Sequence, residues 1–233
     1  MSQIHLFIFV HPKPGMSEPE FFRYWKEVHA VRYGQKIPQA KRYLIDRRER
    51  FGPEPDDPIW SGAAEVWLDS EAAILDFISS REYIEGSRAD EPNFLAFWRM
   101  LSLPTTDHVL LEGGGETQNP TWVKIVAAVK RKAGMSLADF RRYSLEVHVP
   151  LDLKLPGLRR YVQCHVTDSA YVVGESNLDC VSLLWFDDIA AVSRALASPE
   201  NHASVCDLPN FLEMKYAHTF VASEHWVVGP ESR

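Results

Sequence analysis

Two histidines, His29 and His148, combine a residue type and a setting suited to acid–base chemistry. Each closes an identical Glu-Val-His segment near the predicted end of a helix. A neutral imidazole titrates near neutral pH, so it can take up and return a proton without a cofactor. We therefore expect His148 to be the leading catalytic acid/base group and His29 the second. In the last turn of a helix an imidazole can instead bond free carbonyls and complement the helix dipole, which is the structural alternative.

Glu65 is the third candidate for catalysis, because it is a lone acid in an otherwise apolar predicted strand. The matching position in the second half of the chain is Leu183. Burial in such a strand would raise the pKa of the Glu65 carboxyl and allow it to act as a base. The alternative is an ion pair with Arg47 on the neighbouring strand, since buried acids usually have partners.

The sequence repeats itself, and the repeat indicates which elements position these residues. Residues 15–29 return as residues 134–148, with nine of fifteen positions identical at a constant offset of 119. The match continues through Tyr43 with Tyr161 and Trp67 with Trp185 to the end of each half. We predict a first copy over residues 1–111, a Gly-rich linker over 112–121 and a second copy over 122–233.

Each copy shows the element order β-α-β-β-α-β of a ferredoxin-like unit. The first strand (residues 4–10, and 122–129 in the second copy) is followed by a helix that Ser17 or Ser136 caps. Because the first strand is apolar on both faces, the open face of its sheet must be covered. We expect an α+β fold in which the two repeats pack sheet to sheet as an intramolecular dimeric α/β barrel.

In this topology the carboxyl end of the first helix lies near the start of the first strand, the start of the second and the end of the third. We expect one aromatic-walled pocket per copy at this end. Strand alternation groups His5 with Phe7 and Phe9, and Glu65 with Trp67, on a barrel-interior face. The alternative for the tyrosines and tryptophans is packing in the core. The predicted ligand-binding residues are Tyr161, Tyr43, His5, Lys124, Trp67, Trp185, His108 and His225.

We expect neither a metal nor a cofactor. Glu27 and His29 are two residues apart and so lie on different faces of a helix. The chain has no HExxH, GxGxxG or GxSxG motif, and its three cysteines lack ligand spacing. His108 and His225 each follow an acidic residue, but strand alternation sends such neighbours to opposite faces, so we do not expect a dyad there.

The segment His148-Val-Pro-Leu-Asp-Leu-Lys-Leu-Pro-Gly-Leu-Arg-Arg-Tyr161, with Gly134-Met-Ser and Phe140 before it, resembles the signature of the EthD family in the dimeric α/β-barrel superfamily. The first copy reads Ile37-Pro-Gln-Ala-Lys-Arg-Tyr43 and lacks the Pro-Gly pair, which implies an altered or idle pocket. The superfamily includes lactone isomerases, polyketide cyclases, decarboxylases, cofactor-free monooxygenases and haem-dependent enzymes. Many EthD-type proteins have no assigned activity, and some are accessories in oxidative degradation pathways.

The resemblance implies a cofactor-independent lyase or isomerase of decarboxylase, dehydratase, cyclase or lactone isomerase type. Its ligand would be a small hydrophobic oxygenated compound, such as an aromatic or polyketide-like molecule. One alternative is a non-catalytic ligand-binding or accessory protein. Another is a haem-binding or monooxygenase member of the superfamily.

The composition limits the classes of partner and the cellular compartment that we expect for this protein. The net charge of -7 and the mixed signs of residues 41–50 argue against nucleic acid. Apolar runs are too short for a membrane span. Sparse cysteines and no export signal indicate a cytoplasmic protein with reduced thiols, and a homodimer of the tandem chain is one expected assembly.

Overall fold

A computed structural model of the protein describes residues 3–53, 55, 57–113 and 121–229. Both copies have the predicted element order. The first copy comprises β1 (Ile4–Val10), α1 (Glu18–Tyr24), α2 (Ala30–Arg32), β2 (Arg42–Glu49), β3 (Gly62–Leu68), α3 (Ala72–Ser79), α4 (Arg88–Asp90) and β4 (Leu101–Leu111). The second comprises β5 (Val123–Val129), α5 (Leu137–Tyr143), α6 (Val149–Asp152), β6 (Arg160–Val166), β7 (Cys180–Phe186), α7 (Ile189–Leu196), α8 (Pro199–Asp207) and β8 (His218–Val228).

The first helix of each copy begins where the sequence predicts. The Ser17 backbone N–H donates to the Glu20 carboxylate at 3.0 Å, and Ser136 Oγ accepts from the Asp139 N–H at 3.0 Å. These bonds satisfy groups that a helix start leaves unpaired. Each helix then widens into a π-helical turn, Trp25–His29 and Ser144–His148, before its last α-helical residues. Such turns are rare and frequently occur at functional sites.

The strands form a closed barrel in the order β1-β3-β2-β8-β5-β7-β6-β4. β3 is antiparallel to both β1 and β2, and β7 is antiparallel to both β5 and β6. This confirms the predicted α+β fold of two ferredoxin-like repeats in a dimeric α/β barrel. None of the helices in the described part of the chain has the length and apolar character to cross a bilayer.

The chain divides into two compact units, Met1–Thr106 with Ser223–Arg233, and Asp107–Ala222. The divisions fall inside β4 and β8, because these eleven-residue strands are longer than the seven-residue β1 and β5. Each long strand therefore contributes to both units. Most of the predicted linker, residues 114–120, lies outside the described residues.

The two faces of the first unit's sheet carry different side chains. On one face Leu6 and Val66 pack against Phe21 and Trp25 of the first helix. On the opposite face His5, Phe7 and Phe9 form a row in which the His5–Phe7 ring centroids lie 4.2 Å apart. Strand alternation thus separates a helix-covered face from a barrel-interior face, as predicted.

Gly62 is required where β3 passes β2. A Cβ atom at this position would lie 2.2 Å from the Asp46 carbonyl oxygen. We expect Gly62→Ala to lower the free energy of unfolding by about 1–3 kcal/mol, because the obstacle is backbone and the strand must shift. Urea unfolding followed by circular dichroism measures this loss. Gly86→Ala is the control, because its nearest atom belongs to the Tyr33 side chain at 3.2 Å. Equal losses in both variants would contradict the explanation.

Candidate functional site

The π turn of the first copy places His29 in a buried position with both ring nitrogens engaged. Nδ1 lies 2.9 Å from Asp90 Oδ2, and Nε2 lies 3.1 Å from Ser87 Oγ. The imidazole therefore joins the first helix to the segment that contains α4. This bonding differs from the alternative derived from sequence, in which the histidine bonds carbonyls of its own helix.

Asp90 fixes the orientation and the charge state of His29. Its Oδ1 accepts from the Tyr24 hydroxyl at 2.7 Å and from Asn93 Nδ2 at 2.9 Å. Burial favours the protonated carboxyl, but these bonds and His29 hold the pKa of Asp90 below its usual value. An ionised Asp90 accepts the Nδ1 proton, which leaves Nε2 as the acceptor towards Ser87. Burial outweighs Asp90 and lowers the pKa of His29, so this imidazole is a neutral base.

The second copy repeats the cluster around His148. Nδ1 lies 3.0 Å from Asp207 Oδ2, and Asp207 Oδ1 accepts from the Tyr143 hydroxyl at 2.7 Å. The difference is Asp152, whose Oδ2 lies 3.3 Å from His148 Nε2. Burial alone would lower the pKa of His148, but the Asp152 and Asp207 carboxylates outweigh it, and the pKa is raised. Below this raised pKa, His148 is a buried cation between two carboxylates.

Polar side chains surround this second cluster. Asp152 accepts from the Tyr161 hydroxyl at 2.9 Å and from the Ser204 hydroxyl at 2.5 Å. Gln163 donates to the Tyr161 oxygen at 3.0 Å and accepts from the Ser144 hydroxyl at 2.9 Å. The polar side chains around Asp152 thus bond to one another. The first copy has Trp25 and Ile45 at the positions of Ser144 and Gln163.

A cavity of about 50 Å³ lies beside His29 in the first unit. This is several times the roughly 10–15 Å³ needed for one water molecule. Apolar side chains, among them Ile37, Val66 and Phe77, form most of its wall. The polar and titratable side chains that line it are His29, Tyr43, Tyr83, Ser87 and Glu91.

Glu91 is the acidic group of this cavity. Its Oε2 bonds Arg88 Nη1 at 2.5 Å, and its side chain is buried. Burial raises the pKa of the Glu91 carboxyl, and Arg88 offsets only part of the effect. Tyr43 Oη accepts from Trp25 Nε1 at 2.8 Å, so its own hydroxyl proton is left to donate elsewhere. The counterpart of Glu91 is Leu208, so this acid belongs to the first copy alone.

A one-residue insertion accompanies the cavity. Ser80 and Ser87 are seven residues apart, whereas their counterparts Ser198 and Ser204 are six apart. The extra residue is accommodated by a third π-helical turn, Glu82–Ser87, where the second copy has the α-helix α8. π turns of this kind re-aim the side chains that follow. The turn carries Tyr83 and Ser87 into the lining of the cavity.

His5, Glu65 and Trp67 lie on the opposite face of the sheet from His29 and Tyr43. His5 Nε2 is 2.8 Å from Glu65 Oε2, with side-chain exposures of 2% and 1%, and the His5 ring stacks on Trp67 at 4.1 Å. The expectation that one pocket collects His5, His29, Tyr43 and Trp67 was therefore wrong. All four share one end of the sheet, but Tyr43 pairs with Val66 and His5 pairs with Trp67, one residue apart in β3.

The expected ion pair between Glu65 and Arg47 was also wrong. Arg47 pairs in register with Gly62, whereas Leu44 stands opposite Glu65. The Arg47 guanidinium lies 5.5 Å from the centre of the Phe22 ring, on the helix-covered side. Glu65 instead pairs with His5, as described above.

The second copy shows the same separation. Lys124 is fully buried, with Nζ 5.1 Å from the centre of the Trp185 ring, and Arg160 covers the same ring at 5.3 Å. Tyr161 pairs with Leu184 and points to the other face, where it meets Asp152. Lys124 and Trp185 therefore do not join His148 and Tyr161 in one pocket.

The histidines of the last strands lie apart from the cavity lining. The His108 ring lies 4.5 Å from that of His165, tilted by 50°, and the His165 ring lies 6.3 Å from that of Phe140 in the helix. Burial, with His108 and Arg141, lowers the pKa of His165 to about 3. Trp226 stacks on Trp67, so alternation puts its neighbour His225 on the other face from the barrel interior.

Sequence reasoning missed Asp90, Asp207, Ser87 and Glu91. A signal was present, because Pro-Asn-Phe-Leu occurs at residues 92–95 and again at 209–212. Both aspartates stand two residues before that proline, and both serines stand three residues before the aspartates. Extending the repeat by these few positions identifies three of the four residues.

The architecture and the duplicated helix-end histidine define a class of protein. Two ferredoxin-like repeats in one closed barrel, each with a histidine held by an aspartate, make this a tandem member of the dimeric α/β-barrel superfamily. The chain belongs to the EthD family, since the EthD domain model matches residues 13–97 and again residues 132–215. The family inferred from the sequence is confirmed.

Solved structures that match nearly the whole chain show the same fold. An anthrone oxidase-like protein is 12% identical with a TM-score of 0.66, over 98% of this chain and 94% of that one. A chlorite dismutase from Candidatus Nitrospira defluvii, in complex with imidazole, is 11% identical with a TM-score of 0.50, over 97% and 92%. An EthD family protein from Bacillus halodurans C-125 is 24% identical with a TM-score of 0.37, over 43% and 95%. Comparison with curated proteins gives no matching relative.

Proposed function

We propose that the first copy catalyses proton transfer on a small oxygenated ligand, as a lyase or isomerase does, with His29 as the general base. The observation that carries the proposal is the cavity itself. A neutral imidazole held by Asp90 lines it together with a buried acid, Glu91, and two phenols. Titratable groups whose surroundings shift their pKa values in opposite directions are typical of acid–base sites.

Each group has a role that follows from its chemistry. His29 Nε2 takes a proton from a carbon next to a carbonyl and returns it to a neighbouring atom. The Tyr43 hydroxyl stabilises the negative charge that develops on the ligand oxygen, and Glu91 does the same in its protonated form, which burial favours. Burial raises the pKa of Tyr43, so its hydroxyl stays protonated and can donate. The largely apolar wall favours a hydrophobic ligand.

We place the base on His29 and not on the expected His148. Both ring nitrogens of His148 face carboxylates, and the polar side chains around Asp152 bond to one another. One ring nitrogen of His29 faces the Asp90 carboxylate, the other faces the Ser87 hydroxyl, and a cavity lies beside the ring. This supports a division of labour in which the first copy acts and the second is structural.

The proposal predicts that His29→Asn lowers proton exchange on a small ketone by about 10²–10⁴-fold, the usual contribution of a general base. Hydroxyacetone in D₂O is a suitable probe, because deuterium entry next to its carbonyl is followed directly by NMR. The exchange rate should rise with pH through the pKa of His29, which burial lowers, because the neutral imidazole is the active form.

Two aspartates supply a matched comparison. Asp90→Asn should reduce exchange because it releases His29, whereas Asp207→Asn alters the equivalent position of the second copy and should leave exchange unchanged. Circular dichroism confirms that each variant is folded. If exchange persists in His29→Asn, or if Asp207→Asn lowers it as much as Asp90→Asn does, His29 is not the general base.

A further inference from the structure

Ser87 completes an arrangement that simple proton transfer to a ligand does not require. Its Oγ lies 3.1 Å from His29 Nε2, and His29 Nδ1 lies 2.9 Å from Asp90 Oδ2. Because Asp90 accepts the Nδ1 proton, Nε2 is the acceptor and the Ser87 hydroxyl is the donor. The order hydroxyl, imidazole and carboxylate, with both contacts at hydrogen-bond length, is the geometry of an activated nucleophile.

The second copy shows that this arrangement does not follow from the fold alone. Ser204, the counterpart of Ser87, donates to Asp152 Oδ1 at 2.5 Å. The other oxygen of that carboxyl group, Asp152 Oδ2, lies 3.3 Å from His148 Nε2. A carboxylate is a weak base towards a serine hydroxyl, and the imidazole next to it, once protonated, cannot accept the hydroxyl proton. The two copies thus place the same residue types in different chemical states.

The surroundings of Ser87 are suited to a small electrophile. Ser87 lines the cavity of about 50 Å³ together with Tyr43, whose hydroxyl proton is not committed to Trp25. A phenol that can donate into the cavity is a candidate to stabilise an oxyanion. We expect this volume to favour the acyl portion of a short-chain ester over bulky acyl groups.

We propose that Ser87 is a nucleophile that accepts short acyl groups from esters, with His29 as its base and Asp90 as the group that positions His29. Ser87 Oγ forms a bond to the carbonyl carbon while its proton passes to His29 Nε2. The bond from that carbon to the leaving alkoxide breaks, and the alkoxide departs as an alcohol with that proton. Water then attacks the same carbon and gives a proton to His29 Nε2. The bond from that carbon to Ser87 Oγ breaks, Ser87 regains the proton, and the carboxylic acid is released.

Methanesulfonyl fluoride tests this assignment on the intact protein, because it is small and sulfonylates activated serines. The Ser87 oxygen replaces fluoride on sulfur, and the proton leaves with the fluoride. We expect peptide mass spectrometry to find the sulfonyl group on Ser87 and not on Ser204. Labelling should disappear in Ser87→Ala, fall by at least about tenfold in His29→Asn, and remain in Ser204→Ala.

Labelling of both serines at the same rate, or labelling of Ser87 that His29→Asn leaves unchanged, would overturn the proposal, as would an unmodified Ser87. The test is separable from the ketone exchange described above, although both use His29. If wild type exchanges hydroxyacetone but is not labelled, the nucleophile is refuted and the general base stands. If Ser87 is labelled but no exchange occurs, the general base falls and the nucleophile stands.

Discussion

Replacing His148 with glutamine is expected to lower the free energy of unfolding by about 3–5 kcal/mol near pH 6, because it leaves two buried carboxylates without their cation. His148 lies between Asp152 and Asp207, at 3.3 and 3.0 Å, and all three side chains are largely buried. His29→Gln should cost less, about 1–2 kcal/mol, because the only carboxylate involved keeps its bonds from Tyr24 and Asn93.

The contributions of His148 and His29 to the free energy of unfolding should also change with pH in opposite directions. The pKa of His148 is raised in the folded protein, so its contribution is present below the usual value of 6.5 and is lost as pH rises through the raised pKa. The pKa of His29 is lowered, so its contribution is present above 6.5 and is lost as pH falls through the lowered pKa. Urea unfolding of both variants and wild type at about pH 5.5 and about pH 8 tests the signs.

The deficit of His148→Gln should therefore shrink at the higher pH, and that of His29→Gln should shrink at the lower pH. Asp207→Asn is a useful companion, because it leaves His148 paired with Asp152 and should give an intermediate loss. Deficits that change with pH in the same direction in both histidine variants would contradict the assigned charge states.

The repeat made most of the fold predictable. Because the pattern occurs twice, each strand and each helix cap could be predicted from two separate segments. Ser17 and Ser136 both begin helices as expected. The order of elements then limited the topology to the ferredoxin-like unit, since connections in such units are short and regular. The structure confirms this level of organisation throughout the described residues.

The site was harder to predict because it depends on side-chain direction and on irregular backbone. Proximity along the strands correctly placed His5 and Tyr43 at one end of the sheet, but alternation puts them on opposite faces. Asp90 and Glu91 lie in short helical segments that have no hydrophobic periodicity to reveal them. π turns have no sequence signature of their own. The extra residue before Ser87 shows only as a change of offset between the copies, from 118 at Trp67 to 117 at Asn93.

The difference between the copies also bears on how such a site arises. The hydrogen bonds from tyrosine and asparagine to the aspartate that holds the histidine are present in both units. The cavity, Glu91 and the serine contact to the imidazole belong to the first unit. In the second unit Asp152 takes the position beside Nε2 and converts the same cluster into an ion pair network. One added carboxylate therefore separates a base from a structural cation.

Glu65→Ala should lower the free energy of unfolding by about 3–5 kcal/mol, because it removes one member of a buried pair and leaves a cavity. Its carboxylate lies 2.8 Å from His5 Nε2, on the face of the sheet opposite to the proposed site. Ketone exchange per folded molecule should therefore be unchanged.

Replacing both residues, as in His5→Phe with Glu65→Leu, should recover about 1–3 kcal/mol of the loss, since apolar pairs of similar volume often replace buried ion pairs without cost. Leu183 already occupies the counterpart of Glu65 in the second copy. A variant that unfolds normally but no longer exchanges protons would instead return Glu65 to the catalytic role that its sequence context suggests.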